Sequence, residues 1–152
     1  MSPFDLLLFS TDAPFIQEAV AAGVDGIVVD WERRGKKQRQ AGFDTQVGED
    51  TPDDLMRVRA CTSARVLCRT NGYGPWTQGE VEQVIEAGAD ELILPMVRNP
   101  QEVESVLEYV RDRCKVGILV ETMAATQCLP GLSRLPLSRV YVGLNDLAIE
   151  RG

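Results

Sequence analysis

The chain has no histidine in its 152 residues. That removes the commonest general base, every His-dependent nucleophilic triad and most zinc sites. Acid–base chemistry must then run through carboxylates, Lys, Tyr, Cys or metal-bound water. Cysteine is sparse: Cys61, Cys68, Cys114 and Cys128 form no CxxC pair and no zinc-ligand spacing, so reduced, mostly buried thiols are expected. No apolar run approaches the length of a bilayer span. The start, MSPFDLLLFSTDAPF, lacks a basic segment, and its apolar stretch is too short for a secretory leader. A soluble cytoplasmic protein with no membrane partner is the expectation. Positive charge is in deficit, with 16 Lys and Arg against 23 Asp and Glu and a formal net charge of −7, which argues against a nucleic-acid partner. Glycine-rich phosphate loops are missing too. Phe9-Ser10-Thr11-Asp12 follows the first apolar run, and neither GxGxxG nor GxxxxGK(S/T) occurs. No Gly/Ser-rich linker divides the chain, so residues 1–152 read as one domain.

What is present is a repeated unit. EAVAAGVDGIVVDW (18–31) and QVIEAGADELILPM (83–96) both read helix, Ala-Gly, a small apolar residue, Asp, then an apolar run. Gly23 and Gly88 suit the left-handed position that ends a helix. Strands are expected at Asp5–Phe9, Gly26–Val29, Arg65–Cys68, Glu91–Pro95, Val116–Val120 and Arg139–Gly143. They are rich in Val, Ile and Leu without clean alternation, as parallel strands buried on both faces are. The segments between them read as helices. The first runs from Asp12 to Gly23. The second has Thr51 as N-cap with Pro52, Asp53 and Asp54 behind it, and a third carries Val81, Val84 and Ile85. A fourth has Asn99 as cap before Pro100 and an apolar face of Val103, Val106, Leu107 and Val110. A short helix is expected over Thr122–Leu129. Strands alternating with helices imply a parallel α/β sheet with right-handed crossovers. The expected fold is a TIM-type (β/α)8 barrel that stops after its sixth strand, either a piece of a longer barrel or an open one completed by a partner.

Parallel strands of such folds present their C-terminal ends to the ligand. GILVE ends on Glu121, VYVGLND on Asp146, and ARVLCR on Arg69. Two acids and a guanidinium at strand ends suit a divalent cation and an anionic substrate. Each has a plainer reading: Glu121 as a surface or capping acid, Asp146 as N-cap of LAIERG, Arg69 as the ion-pair partner of Glu121 or Asp30. Asp30 and Glu32, two apart in extended chain, point the same way. They form either a like-charge pair with one raised pKa or ion pairs with Arg33 or Arg34. Arg33, Arg34, Lys36, Lys37 and Arg39 make a basic run, either a solvated loop or a patch that recruits a phosphate, nucleotide-sugar or CoA group. Tyr73, Pro75 and Trp76 either wall a pocket or cap the barrel. Leu94, Met96 and Met123 are expected in the core.

VDWE (29–32), RTNG (69–72), ILPMV (93–97), LVETMAA (119–125) and VGLNDLA (142–148) occur in the order found in the HpcH/HpaI aldolase/citrate lyase family, which the chain resembles from about Phe4 to its last residue. The resemblance implies a (β/α)8 barrel that makes or breaks C–C bonds beside a pyruvate-like or acyl-CoA enolate held on Mg²⁺ or Mn²⁺. Carried over by position, Glu121 and Asp146 would ligate the metal. Arg69 would contact the oxo-acid carbonyl or carboxylate, and backbone N–H groups near Leu144, Asn145 and Asp146 would meet the substrate carboxylate. Glu32 would lie near metal-bound water. The aldolase branch has a catalytic histidine directly after the acid matching Glu32, and here that position is Arg33. The leading expectation is a metal-dependent C–C lyase acting on a 2-oxo acid, with Arg69, Glu32 and Asp30 as its catalytic groups. The rival is an altered barrel that binds an anionic metabolite without cleaving it, and a third reading is an assembly role. Homo-oligomers are expected, because strands one and six would leave open edges.

Overall fold

The computed structural model describes residues 4–35 and 49–152. Among them, six parallel strands form one sheet in the order β1-β2-β3-β4-β5-β6. The strands are β1 (Leu7–Phe9), β2 (Gly26–Asp30), β3 (Arg65–Arg69), β4 (Glu91–Leu94), β5 (Lys115–Val120) and β6 (Arg139–Val142). The helices, numbered over the described residues, are α1 (Ala13–Ala21), α2 (Pro52–Cys61), α3 (Thr77–Glu86) and α4 (Pro100–Val110). The short α5 (Met123–Gln127) and α6 (Leu129–Leu132) and the terminal α7 (Leu144–Arg151) follow. Sequential parallel order with a helix at each crossover is the wiring of a (β/α) barrel, met here for six strands. The expected single short helix after β5 is two, broken at Cys128.

The helix starts follow local chemistry. Asp12 accepts from Phe15 N–H, Thr51 and Asp54 form a reciprocal capping box, and Asn99 accepts from Glu102 N–H. Gly23 and Gly88 end their helices at φ 108° and 85°, where a Cβ would be strained. The repeat is structural as well as textual. Asp25 accepts from Leu6 N–H and Asp90 from Val66 N–H, each at 2.8 Å. Each aspartate thereby ties the turn before one strand to the start of its neighbour.

Side chains alternate between two layers. Ile27, Val29, Val66, Cys68, Leu92, Leu94, Val116 and Ile118 pack outward against helix residues such as Ile16, Leu55, Val84 and Val106. Val28, Leu67, Ile93 and Leu119 form a separate inner cluster with Leu7 and Tyr141. The sheet is rolled around this inner cluster. Flat, it would hold β1 and β6 roughly 24 Å apart, at about 4.8 Å per strand. Yet Asp5, just before β1, pairs with Arg139 of β6 at 2.8 Å and with Arg65 of β3 at 3.0 Å. Fully buried Glu91 completes the network through Ser138 Oγ at 2.8 Å and Arg139 Nε at 3.2 Å. Charged pairs therefore fill the N-terminal end of the arc.

β1 and β6 are the edges, as the sequence implied. Phe4, Leu6, Phe9, Val140, Val142 and Leu144 are exposed along them. Two expectations need correction. Only Cys68 is a buried thiol, and Cys61, Cys114 and Cys128 are half-buried, on helix ends and loops rather than strands. Leu94 is core, but Met96 is half-buried and Met123 exposed, because both follow strand ends at the mouth of the arc. No helix among the described residues is long and apolar enough to cross a membrane.

Candidate active site at the C-terminal strand ends

Arg69 is the last residue of β3 and Asp30 the last of β2, and the strand register sets them side by side. Their side chains meet in a two-pronged ion pair, Nε to Oδ1 at 2.9 Å and an Nη to Oδ2 at 2.6 Å. Pairing continues one step further, where Trp31 N–H donates to the Arg69 carbonyl at 2.8 Å. Extended chain then returns Glu32 to the same face, with its Oε2 3.4 Å from Arg69 Nε. Asp30 and Glu32 thus both pair with Arg69. The guanidinium also lies over the Phe9 ring, 5.1 Å from its centroid, a cation–π contact that sequence reading missed. Burial favours a neutral Arg69, but the hydrogen bonds and charge of Asp30, then Glu32 and Glu121, hold its proton more firmly than usual.

Glu121 follows β5 and is buried. Its Oε1 accepts from Met96 N–H at 2.9 Å, and Met96 adopts the left-handed region at φ 54°. Thr122 caps α5 and donates to the Val97 carbonyl at 2.6 Å, fixing the chain just past the acid. Asp146 is not the N-cap of its helix. α7 starts earlier, with Gly143 at the N-cap and no side-chain cap, so buried Asp146 lies in the first turn. Leu144 and Asn145 occupy that turn too, both exposed. The first N–H groups of a helix lack intrahelical acceptors and carry its positive end. Glu150 of α7 reaches back to accept from Met123 N–H at 2.5 Å, tying α7 to α5.

Burial drives the Glu121 pKa from 4.5 up to about 7, with the charges of Glu32 and Asp146 adding to it and Met96 N–H and Arg69 opposing. Burial likewise raises the Asp50 pKa, and its Oδ2 accepts from Asp30 N–H at 2.9 Å. The native chain therefore holds the Glu121 proton more tightly than the unfolded chain does. This contribution to stability is complete below about pH 4.5 and is lost as pH rises through about 7. The metal-free protein should melt lower near pH 8 than near pH 5.5, and Glu121→Gln should shrink that difference. An equal pH dependence in the two proteins, by calorimetric melts, would remove Glu121 as its source.

The loop after β2 is latched by Asn71, which no motif argument had singled out by itself. Its Oδ1 accepts from Arg33 N–H and Arg34 N–H, both at 2.9 Å, and its Nδ2 donates to Glu80 at 2.7 Å. The Arg33 guanidinium donates to the Asp50 carbonyl at 2.7 Å. Arg34 stacks on Trp76, whose indole donates to the Gly72 carbonyl. Trp76 thus packs on its own loop. Lys36, Lys37 and Arg39 of the basic run lie outside the described residues. A cleft of about 300 Å³ between Trp31, Pro52, Asn71 and Glu80 sits on the helix side of this loop. None of Asp30, Glu32, Arg69, Glu121 or Asp146 lines it.

Glu121 and Asp146 are the candidate metal ligands. Among the described residues no group of three or more His, Cys, Asp or Glu side chains is arranged to hold a metal. Two carboxylates suit an ion that keeps several waters, as Mg²⁺ does. All-oxygen donors select a hard cation, and an acid raised to about 7 first by burial and then by the charges of Glu32 and Asp146 is a place a cation would relieve. The residues present fit Mg²⁺ or Mn²⁺.

No protein-family model and no curated protein sequence matches the chain. Solved structures do. A citrate synthase, SbnG, superposes with a TM-score of 0.77 at 16% identity, over 97% of this chain and 64% of its own. An HpcH/HpaI aldolase from Desulfitobacterium hafniense DCB-2 gives 0.74 at 13%, over 97% and 65%. An HpcH/HpaI aldolase/citrate lyase family protein from Burkholderia cenocepacia J2315 gives 0.74 at 16%, over 97% and 66%. The chain spans about two thirds of the length of each. The fold of this chain is that of HpcH/HpaI aldolase/citrate lyase family structures, the family its motifs resemble.

Proposed function

We propose that this chain carries the site of a metal-dependent C–C lyase of the aldolase type, acting on a 2-oxo acid or a related carboxylate that forms an enolate. The observation that carries the reading is the clustering of buried Glu121 and Asp146 with Arg69 at the C-terminal ends of β3, β5 and β6. In the proposal Glu121 and Asp146 hold Mg²⁺ or Mn²⁺, which when bound supplies a Lewis acid for the substrate carbonyl. Arg69 faces the substrate's carbonyl or carboxylate oxygen and stabilises negative charge growing there as the C–C bond breaks. Asp30 and Glu32 orient the guanidinium. The N–H groups of Leu144 and Asn145, at the start of α7, receive the substrate carboxylate. The closed eight-stranded barrel and self-association belong to the proposal too. The exposed apolar edges at β1 and β6 support both, and sedimentation velocity reads the second.

A specific observation favours one rival. Arg33, where the aldolase branch has its histidine, has its guanidinium on the Asp50 carbonyl and cannot serve as a base at neutral pH. The rival is a barrel that binds an anionic metabolite without cleaving it. Incubation with 4-hydroxy-2-oxo acids and Mg²⁺ or Mn²⁺, with pyruvate release followed by a coupled assay, separates the two. Pyruvate release that depends on the metal is expected of the lyase. Calorimetric binding of oxalate with no release at any metal concentration would support the rival.

A further inference from the structure

Glu121 is held on two sides. Its Oε1 takes the Met96 N–H at 2.9 Å, presented by a residue at φ 54°. Left-handed non-glycine residues of this kind persist only where their surroundings fix them. Against its other side lies Gly143. A Cβ added to Gly143 would fall on Glu121 Oε2, 2.6 Å from Glu121 Cβ and 3.2 Å from its Cδ. Those are its three nearest neighbours, and all belong to Glu121. The Gly143 backbone, at φ −87° and ψ 93°, is open to any residue. The need for glycine here is therefore steric, and this side chain makes the tightest contacts. Because the clash reaches Glu121 Cβ as well as the carboxylate, rotating the acid alone does not relieve it.

We propose that Gly143 and Met96 form the seat that fixes the Glu121 carboxylate at the mouth of the arc, Gly143 by lacking a side chain and Met96 through its N–H. Gly143 is a positioning residue: it acts through Glu121. The seat commits Oε1 to Met96 and leaves Oε2 for a ligand. Only the metal arm of the test rests on the metal-binding reading above.

The test is a double-mutant cycle read by thermal melting without metal, using Gly143→Ala, Glu121→Gly and the pair. Gly143→Ala alone should lower Tm by about 5 °C, the order expected of overpacking. In the Glu121→Gly background the same change should cost about 1 °C or less, since its obstacle is gone. Equal cost in both backgrounds overturns the proposal. If Gly143→Ala fails to fold, the pair should still fold as Glu121→Gly does, and failure of the pair alone overturns it as well. In the metal arm, Mn²⁺ affinity by calorimetry should fall at least tenfold in Gly143→Ala with unchanged circular dichroism. Met96→Gly, which keeps the N–H and is free to adopt φ 54°, should bind as the wild type does. Wild-type Mn²⁺ affinity in Gly143→Ala overturns the seat. A wild type that binds no Mn²⁺ defeats the metal reading instead, and the melting cycle then decides the seat.

Discussion

Glu121→Gln should abolish the binding of Mn²⁺ to this chain while leaving it folded. Glutamine keeps the shape of the side chain, and its carbonyl oxygen still accepts the Met96 N–H that Glu121 Oε1 takes at 2.9 Å. What it loses is charge. With no third acid, histidine or cysteine grouped there among the described residues, the site has two anionic ligands to offer, and the substitution removes one. Asp146→Asn should have the same effect from the other side. Isothermal titration with Mn²⁺ measures both, and unchanged binding in both variants would rule out this metal site. The neutral side chain also ends the burial of a charge whose pKa stands at about 7. The metal-free glutamine variant should therefore melt higher than the wild type near pH 8.

Arg69 should prove important twice. Arg69→Lys keeps a positive charge but not the planar fork that meets Asp30 at two points. If Arg69 also receives the substrate carboxylate, oxalate or pyruvate binding should weaken by about 1–3 kcal/mol, the range for charge-assisted hydrogen bonds. Affinity like the wild type's would place the carboxylate elsewhere. Arg69→Met goes further and takes away the cation that Asp30 and Glu32, both buried, face together. Breaking a buried ion pair from one side costs about 3–5 kcal/mol, and urea melts should show a loss of that order. A change under about 1 kcal/mol would mean that the two acids are held by other groups or repack around the gap.

Much of this was legible because it depends on neighbours in sequence. Pro52 behind Thr51 and Pro100 behind Asn99 mark helix starts through local sterics and capping, and both helices begin there. The Ala-Gly-x-Asp repeat marked two equivalent turns, since a left-handed helix end followed by an acid is a local solution. Its two aspartates make matching hydrogen bonds. Two acids spaced as the family spaces its ligands were legible by resemblance. The rest was not, because it depends on contacts between distant segments. Nothing in ILPMV says that Met96 turns to φ 54° under Glu121. Nothing in VGLND says that Gly143 makes room for an acid 22 positions earlier in the chain. The Asp146 case shows the limit of local rules. It suits an N-cap, yet α7 starts at Leu144, which places the acid in the first turn, where it is buried.

The sequence by itself determined the alternation of strand and helix, the parallel order and which strand ends carry charge, since propensity, capping and apolar patterning act over a few residues. Tertiary structure alone decided which charges meet. The roll of the sheet brings Asp5 onto Arg139 across the two edge strands and closes one end with ion pairs. At the other end, register sets Arg69 beside Asp30, and burial converts Glu121 from an ordinary acid into one that titrates near neutrality. Register, curvature and desolvation are properties of the packed sheet, and no short stretch of chain contains them.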